Sequence, residues 1–537
     1  MVSGTLAVRS RRSAPRIDGW PMVATVVAVA GALALLAIAL GWRGSDLPAQ
    51  IFRTELFRKD GFVLWNSQWF GGHALLGYSV IAPAISAPIG PLALGALSGI
   101  VSAFLFERIL RFAFGSIAWL GSLWFALGTV INLIVGRTTF AFGVALGLGA
   151  VYALQRRRAV LAVPLAVLCS LASPLAGCFL AIVAVANAVS SPASRRTALL
   201  VLAGALAPIA AVALLFPTAG AEPYEPWALV WDLCLCAVVA VALRKHPAAL
   251  WGTACFALVA IGSFVVPTAL GGNVSRLGQY VAGPLLACAL LPRRRLALAV
   301  LAVPLLIWQW FPAVDGIAFA GTDPSTRASY YQPVLTYLGG QSGLGVQSGL
   351  GAQSGLAGRV EIPSTYRHWE AAYAAPHVQL ARGWERQLDI AYNPLFYSEP
   401  LTPNTYHSWL HANGVKFVAL PDARLDDSSV GERALVTSGL PYLTEVWHDA
   451  HWRVWRVDDF RGLVDGPATL QSMSPDRVTL NVTGTDDILL RVRATSHWSV
   501  RPGGCAASTD DGWTRLHDLP LGTVTLTQTL GGTRCPS

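Results

Sequence analysis

The sequence predicts an α-helical, multi-pass membrane protein with a folded C-terminal region outside the membrane. Of its 537 residues, 54% are hydrophobic and only 13% are charged, whereas soluble domains carry about 25% charged residues. The charge is missing from residues 20–312, which form apolar runs separated by short basic breaks. Residues 313–537, in contrast, have the composition of an ordinary soluble domain.

The apolar runs define the individual spans. A membrane-spanning helix needs about 20 apolar residues, and this criterion predicts about eleven spans within a transmembrane domain over residues 22–312. They lie at 22–42, 88–106, 112–135, 139–154, 159–173, 175–191, 197–216, 227–243, 248–268, 278–291 and 296–312. Alternatively, residues 159–191 form one broken or re-entrant unit around Ser173 and Pro174.

Basic residues give the orientation, because cytoplasmic loops of membrane proteins are enriched in Lys and Arg. If the N-terminus lies inside, six segments lie in the cytoplasm. Together these segments hold sixteen basic residues and only two acidic ones, Asp18 and Glu107. The basic residues are Arg9, Arg11, Arg12, Arg16, Arg108, Arg111, Arg156, Arg157, Arg158, Arg195, Arg196, Arg244, Lys245, Arg293, Arg294 and Arg295. We therefore predict a cytoplasmic N-terminus (residues 1–21) and an extracytoplasmic C-terminal region. The first apolar run is about 20 residues long and lacks a clear cleavage site, so we predict that it is an uncleaved anchor rather than a cleaved signal peptide.

The same distribution indicates the partners. The pI of 9.3 arises from short loops between apolar runs and not from one soluble face, so we predict a lipid bilayer and no nucleic acid as partner. Only three of the 39 basic residues are lysine, a composition typical of a GC-rich bacterial genome. The predicted location is the bacterial plasma membrane.

The C-terminal region divides into three parts. Residues 313–358 form a linker with the near repeat QSGLGV-QSGLGA-QSGLAG, which is typical of a flexible segment. Residues 359–460 alternate strand and helix signals and predict an extracytoplasmic α/β domain. Residues 461–537 alternate apolar and polar residues between turns, which predicts an extracytoplasmic β-rich domain resembling a β-sandwich.

Cysteine usage separates the two halves of the chain. Six of the eight cysteines fall in predicted spans, and Cys505 and Cys535 lie outside them. In an oxidising compartment such a pair persists as a disulfide, which we predict here. The spacing of His and Cys predicts no metal site. The sequence identifies no cofactor with certainty, and it does not decide whether the protein uses a divalent cation.

The first loop, residues 43–87, is the longest within the membrane half. Residues 47–59 predict an amphipathic helix on the membrane surface. Asp46 precedes this helix, with Pro48 near the helix start, and can be its N-cap. The aromatic residues that follow are often simple anchors at the membrane interface.

The combination of these features resembles the GT-C glycosyltransferase superfamily. The features are an acidic residue after the first span, a helix in the first loop, the stretch W-x3-W-x-G-G-H-x4-Y-x4-P, many spans and an outer C-terminal domain. The resemblance implies transfer of a sugar from a polyprenyl-phosphate donor to a glycan or glycolipid acceptor. It maps the catalytic acid onto Asp46, where many members have two acids, and it implies acceptor or sugar binding by the aromatic stretch that includes Trp65, Trp69, His73 and Tyr78.

Such a reaction needs a carboxylate to deprotonate the acceptor hydroxyl and cations to hold the donor phosphate. Arg137 and Arg276 lie at outer ends of spans, against the positive-inside pattern, so they either bind this phosphate or snorkel to the headgroups. Arg53 and Arg58 are weaker candidates, because interfacial helices carry basic residues anyway.

One segment of the predicted α/β domain is a further candidate. In LARGWERQLD (residues 380–389), Trp384 and Glu385 can grip a sugar by ring stacking and hydrogen bonding, but the charges around Trp384 can equally form helix salt bridges.

Two other functions remain open at this stage. The protein can be a transporter or flippase of lipid-linked glycans, although we find no duplication of the membrane half. It can also be a non-catalytic membrane protein of envelope assembly, in which Asp46 only caps a helix.

Overall fold

A computed structural model describes residues 20–218, 220–341, 357–398 and 400–535. The basic N-terminal segment and most of the Gly/Ser-rich repeat lie outside the described residues.

Within these residues, a helix lies at each of the eleven predicted spans, and two more helices, α2 and α3, lie in the first loop. The helices of the membrane half are α1 (Trp20–Ala39), α2 (Leu47–Asp60), α3 (Ala82–Ile89), α4 (Pro91–Phe114), α5 (Trp119–Val135), α6 (Thr138–Gln155), α7 (Ala159–Ala172), α8 (Pro174–Ser190), α9 (Arg195–Leu215), α10 (Pro226–Ala242), α11 (Pro247–Val265), α12 (Ser275–Leu290) and α13 (Arg295–Trp310). Ser173 separates α7 from α8, and its side chain accepts a hydrogen bond from the amide of Ala176.

The chain is a multi-pass membrane protein. In the described part, six stretches are long and apolar enough to cross a membrane: Pro21–Ala39, Pro91–Val135, Thr138–Gln155, Arg195–Leu215, Pro247–Val265 and Arg295–Ala318. The second stretch contains both α4 and α5. Helices α7, α8 and α10 are apolar but shorter, so a count of eleven crossings stays a prediction.

The helices differ in how far other helices surround them. Most of the stretch formed by α4 and α5 is buried inside the protein. Helices α1, α9, α11 and α13 instead turn large apolar side chains outward, as Leu214 does with 83% of its surface exposed. An apolar surface of this kind is stable against lipid and not against water.

The first loop contacts protein on several sides. Besides α2 and α3 it contains the hairpin of β1 (Trp65–Asn66) and β2 (His73–Ala74). The expectation that α2 lies on the membrane surface is wrong in one respect. Its apolar residues Leu47, Phe52 and Leu56 are buried in a core shared with Trp369 and Phe417 of the C-terminal region.

The predicted mixed α/β part of the C-terminal region is confirmed. Before it, within the predicted linker, lie α14 (Val314–Ala318) and α15 (Ala328–Gly339). Its own elements are β3 (Arg359–Glu361), α16 (Glu370–Tyr373), α17 (Arg386–Tyr392), α18 (Pro403–Ala412), β4 (Val415–Pro421), α19 (Asp427–Thr437), β5 (Leu443–His448) and β6 (Trp452–Val457). The sheet order is β3-β4-β6-β5, with β3 parallel to β4 and the other pairs antiparallel.

The remaining strands form two four-stranded antiparallel sheets. The strands are β7 (Val464–Asp465), β8 (Ala468–Ser474), β9 (Arg477–Val482), β10 (Ile488–Arg493), β11 (Trp498–Arg501), β12 (Cys505–Ser508), β13 (Trp513–His517) and β14 (Gly522–Gln528). The sheet orders are β12-β13-β10-β7 and β11-β14-β9-β8. Alternate residues of β9, such as Val478 and Leu480, are buried in a core that both sheets line, as the two-residue period of a strand requires. Cys505 and Cys535 form a disulfide with a Cα–Cα distance of 4.9 Å.

Candidate functional site

Asp46 is fixed where the first loop meets the end of α5. The amide of Gly44 donates to the carbonyl of Ile134 at 2.7 Å, and the amide of Asp46 donates to the carbonyl of Val135 at 3.0 Å. These carbonyls lie in the last turn of α5, where the carbonyl groups have no hydrogen-bond partner within their own helix. The loop therefore satisfies the end of α5 and at the same time sets the position of Asp46.

The carboxylate of Asp46 faces an arginine and does not cap α2. Asp46 occupies the N-cap position, but its side chain makes no capping hydrogen bond. Its Oδ2 instead accepts a hydrogen bond from Nε of Arg137 at 3.2 Å, and both side chains are 17% exposed. The site thus contains a carboxylate held by a cation and still reachable from solvent.

Arg276 brings a second cation to the same place. It lies in the first turn of α12, with its guanidinium 5.7 Å from the ring centroid of Phe140. It interacts electrostatically with Arg137, Asp46 and Tyr78. Among the described residues, Arg276 has no carboxylate within 4.0 Å.

A buried carboxylate fixes the start of α12. Asp232 of α10 is fully buried, and its Oδ2 accepts hydrogen bonds from Ser275 Oγ at 2.5 Å and from Tyr224 Oη at 2.6 Å. Because Ser275 precedes Arg276, these bonds hold the cation at the end of its helix.

Tyr78 and Arg53 form one wall of the site. Gln50 Nε2 donates to Tyr78 Oη at 2.9 Å, and the guanidinium of Arg53 lies 4.0 Å from the Tyr78 ring centroid. Burial raises the pKa of Tyr78, and the negative charge of Asp46 raises that pKa further. The phenol therefore stays protonated at neutral pH and remains a hydrogen-bond donor.

The α/β domain closes this wall through Trp384 and Glu385. Trp384 Nε1 donates to the carbonyl of Ser45 at 2.6 Å, and its ring meets that of Tyr78 edge to face at 5.8 Å. Glu385 pairs with Arg53. Trp384 and Glu385 are distant from the first loop in sequence, and they thus contact the loop that carries Asp46.

Glu222 is a site residue that sequence analysis missed. It lies between α9 and α10 and interacts electrostatically with Arg276, Asp46 and Arg137. Burial raises the pKa of Glu222, and Arg276 only partly offsets that effect. No motif surrounds this glutamate, so only the approach of its loop to α12 could reveal it.

The chain is similar in structure to an archaeal oligosaccharyltransferase. The structure of the Archaeoglobus fulgidus enzyme tethered with an acceptor peptide gives a TM-score of 0.47 at 12% identity, covering 75% of this chain and 69% of that one. Its apo form gives 0.47 at 12% identity, over 75% and 70%. Its complex with an inhibitory peptide and a dolichol-phosphate gives 0.45 at 12% identity, over 74% and 69%. No family model and no curated protein matches the chain.

The structure separates three aromatic candidates of the first loop from the Asp46 carboxylate. Trp65 packs into the core of the β-rich domain. Trp69 is fully buried and stacks with Phe52 and His73. Burial and then the charge of Arg53 lower the pKa of His73 to about 3, so this imidazole is neutral. These three side chains join the loop to the C-terminal domains, and a sugar would reach them only if that contact opened.

The remaining charged candidates have other partners. Arg58 lies about 18 Å along α2 from Asp46, given the rise of 1.5 Å per residue, and it pairs with Glu55. The charges around Trp384 do not form salt bridges within one helix. Glu385 reaches Arg53, while Arg382 pairs with Asp389 at 2.6 Å in a buried network.

Proposed function

We propose that the protein is an integral membrane glycosyltransferase. It would transfer a sugar from a polyprenyl-phosphate donor to a cell-envelope acceptor at the outer face of the membrane. The observation that supports this proposal is the arrangement of Asp46, Arg137 and Arg276. A carboxylate is paired with one arginine, and beside it lies a second arginine that has no carboxylate within 4.0 Å among the described residues.

Asp46 is proposed as the general base. In the transfer, the acceptor oxygen forms a bond to the anomeric carbon while the bond from that carbon to the phosphate oxygen breaks. The acceptor proton passes to Asp46, and the lipid phosphate leaves as an anion. Because a base must lie within hydrogen-bond reach of the proton that it removes, the fixed backbone around Asp46 favours this role.

Arg276 and Arg137 are proposed to hold the leaving phosphate. Guanidinium groups bind phosphate oxygens through strong, charge-assisted hydrogen bonds. Arg276 lies in the first turn of α12. Tyr78 and Trp384 are adjacent to each other, and Trp384 also contacts Ser45. These two residues are proposed to contact the sugar or acceptor.

The test is transfer of radiolabelled sugar from a panel of polyprenyl-phosphate sugars to membranes that contain the protein. Asp46→Asn keeps the size of the side chain and removes the base. We expect it to lower transfer at least about 100-fold, the lower range for loss of a general base, while binding of polyprenyl phosphate persists. Asp60→Asn, in the same loop but outside the site, is the matched control.

Arg276→Gln separates phosphate binding from proton transfer. We expect it to weaken donor binding, whereas the matched variant Arg327→Gln, an exposed arginine, should bind the donor normally. If Asp46→Asn transfers sugar at the wild-type rate, the proposed mechanism is wrong.

A non-catalytic role in envelope assembly is the second candidate. The ion pair between Asp46 and Arg137 favours it, since such a pair can simply fasten the loop to α6. On this alternative, Asp46→Asn lowers thermal stability and no donor in the panel gives transfer.

A further inference from the structure

A cluster of two imidazoles and one carboxylate lies in the α/β domain, apart from the Asp46 site. His407 and His411 are four residues apart on α18, so they lie on the same face of that helix. Asp459 follows β6, 52 residues after His407. Each of the three residues offers one ligand atom, and these three atoms all lie within 4.8 Å of one another.

The distances in the cluster match those between ligands of one small metal ion. His407 Nε2 lies 3.0 Å and 3.1 Å from the two carboxylate oxygens of Asp459, and His411 Nε2 lies 3.0 Å from Oδ1. In a tetrahedral zinc site with bonds of about 2.0 Å, neighbouring ligand atoms are about 3.3 Å apart. The two imidazole–carboxylate distances lie within a few tenths of an ångström of this value, and the ligand nitrogens of the two histidines lie within 4.8 Å of each other.

Hydrogen bonding alone accounts poorly for the arrangement. The ring centroids of the two histidines are only 4.2 Å apart, so two imidazolium ions here would repel each other. Among the described residues, the buried Nε2 of His411 has no hydrogen-bond partner in an acceptable direction, although Oδ1 of Asp459 lies 3.0 Å away. A cation between the three groups would satisfy both nitrogens and the carboxylate together.

Contacts of Tyr442 hold in place both His407 and the segment that carries Asp459. Tyr442 stacks on His407 with ring centroids 4.0 Å apart, and its Oη donates to the carbonyl of Pro403 at the start of α18. The amide of Asp458 donates to the carbonyl of Tyr442 at 3.1 Å. Supporting contacts of this kind orient the ligands of metal sites.

We propose that His407, His411 and Asp459 bind one divalent transition-metal ion of the zinc class. The two imidazoles would bind through Nε2 and the carboxylate through oxygen. Asp459 is 53% exposed, which leaves a fourth position for water. The ion would fasten α18 to residues 458–463, the segment that joins the α/β domain to the β-rich domain.

The site was not apparent from the sequence. The spacing H-x3-H is common without metal, and the third ligand comes from a distant segment. The pairing of β5 with β6 places Tyr442, which directly precedes β5, beside Asp458, which directly follows β6. Because Tyr442 also stacks on His407, this pairing brings Asp459 close to α18.

The test uses the full-length protein in detergent, purified without a histidine tag and stripped of metal with a chelator. Co²⁺ is titrated and followed by its visible absorption, and Zn²⁺ is then added in competition. We expect one Co²⁺ per chain, displaced by Zn²⁺, and a rise in the unfolding temperature on binding. His411→Ala and Asp459→Asn should each weaken binding at least about tenfold, because even residues that only support a ligand have effects of that size.

His517→Ala is the matched control. His517 lies 2.8 Å from Asp487 and is as exposed as His407, but it has no second imidazole beside it in this structure, so its loss should leave Co²⁺ binding unchanged. Asp459→Asn keeps the side-chain size and gives an answer even if a histidine variant folds poorly. A wild-type protein that binds Co²⁺ no more tightly than His411→Ala or Asp459→Asn would overturn the proposal.

Discussion

At the residue scale, four charged groups decide how the site treats an anion. Asp46 and Glu222 balance Arg137 and Arg276 when both acids are ionised. Burial raises the pKa of Glu222, so this side chain loses its charge at a higher pH than an ordinary glutamate does. Protonation of Glu222 leaves the site with one net positive charge, which favours a phosphate.

This balance predicts the effect of removing the charge of Glu222. Above its pKa the glutamate is ionised and opposes an incoming phosphate, so Glu222→Gln should tighten polyprenyl-phosphate binding at pH 8. A change of about 1 kcal/mol would correspond to about a fivefold lower Kd. As the pH falls through the raised pKa, wild type should approach the variant, because both then carry a neutral side chain.

Binding of a fluorescent polyprenyl phosphate, measured across a pH series, checks this prediction. Glu225→Gln is the matched control, since Glu225 lies three residues further along and is exposed. The titration of the phosphate itself affects every variant equally and cancels in the comparison. A constant ratio of Kd values between wild type and Glu222→Gln at all pH values would contradict the assignment.

The sequence located part of this site for a physical reason. Asp46, Arg137 and Arg276 stand out because a charge near membrane depth is costly and therefore rare. Glu222 and Gln50 lie in no recognisable motif, and their approach to the site depends on packing between distant segments. Trp65 and Trp69 could not be interpreted from sequence, since an aromatic side chain serves equally as anchor, ligand contact or core.

At the element scale, the junction of α5, the first loop and α6 determines where Asp46 points. α5 ends at Gly136, which has φ 92°, a conformation that glycine adopts without strain. A Cβ at Gly136 would lie 2.2 Å from the amide nitrogen of Leu47, the residue after Asp46. This glycine is thus required by its backbone conformation and by its close contact with the loop.

Gly136→Ala should therefore perturb both stability and the site. The left-handed conformation costs about 1–2 kcal/mol for a residue with a Cβ, and the clash would displace Leu47 and with it Asp46. We expect a lower unfolding temperature and a loss of sugar transfer. Thermal unfolding in detergent and the transfer assay measure the two effects.

Gly61→Ala is the matched control for this variant. Gly61 has φ 72° at the end of α2, and a Cβ there would meet nothing within 4 Å. Its ψ of −145° makes a residue with a Cβ there at least as strained as one at Gly136, so this variant should show backbone strain without displacing Asp46. Equal transfer by Gly136→Ala and Gly61→Ala would argue against the role of the junction.

The element scale also shows the limit of reasoning from periodicity. The apolar spacing of α2 was recognisable, and the helix lies where it was predicted. The surface against which α2 packs was not recognisable, because apolar side chains such as Leu47 and Phe52 can be buried either in lipid or in a protein core. Likewise, the charges near Trp384 pair with Arg53 and with residues of other elements rather than along one helix.

At the scale of the whole molecule, the first loop joins the helical bundle to both C-terminal domains. Phe52 and Trp69 pack with the α/β domain, Trp65 packs with the β-rich domain, and Gly44 binds the end of α5. The Asp46 site thus lies on the side of the bundle that carries the C-terminal region. Composition predicted the helical half and the folded C-terminal half, but the contact between them depends on individual side chains.

The topology prediction belongs to this scale. Helix α6 begins beside Asp46 and ends at the three arginines Arg156–Arg158, so this basic segment lies at the opposite end of the bundle from the site. From the positive-inside rule we predict that the arginine end faces the cytoplasm and that Asp46 and the C-terminal region lie outside. Reporter fusions after residues 157, 245 and 294 should therefore report the cytoplasm, and fusions after residue 320 should report the outer face.

Two complementary reporters, one active only in the cytoplasm and one only outside it, make each fusion its own control. A C-terminal region that reports the cytoplasm would invert the whole arrangement. It would place Asp46, Arg137 and Arg276 on the cytoplasmic side and contradict transfer at the outer face. The same result would leave the internal geometry of the site unchanged, so the location of the reaction and the identity of its base are tested separately.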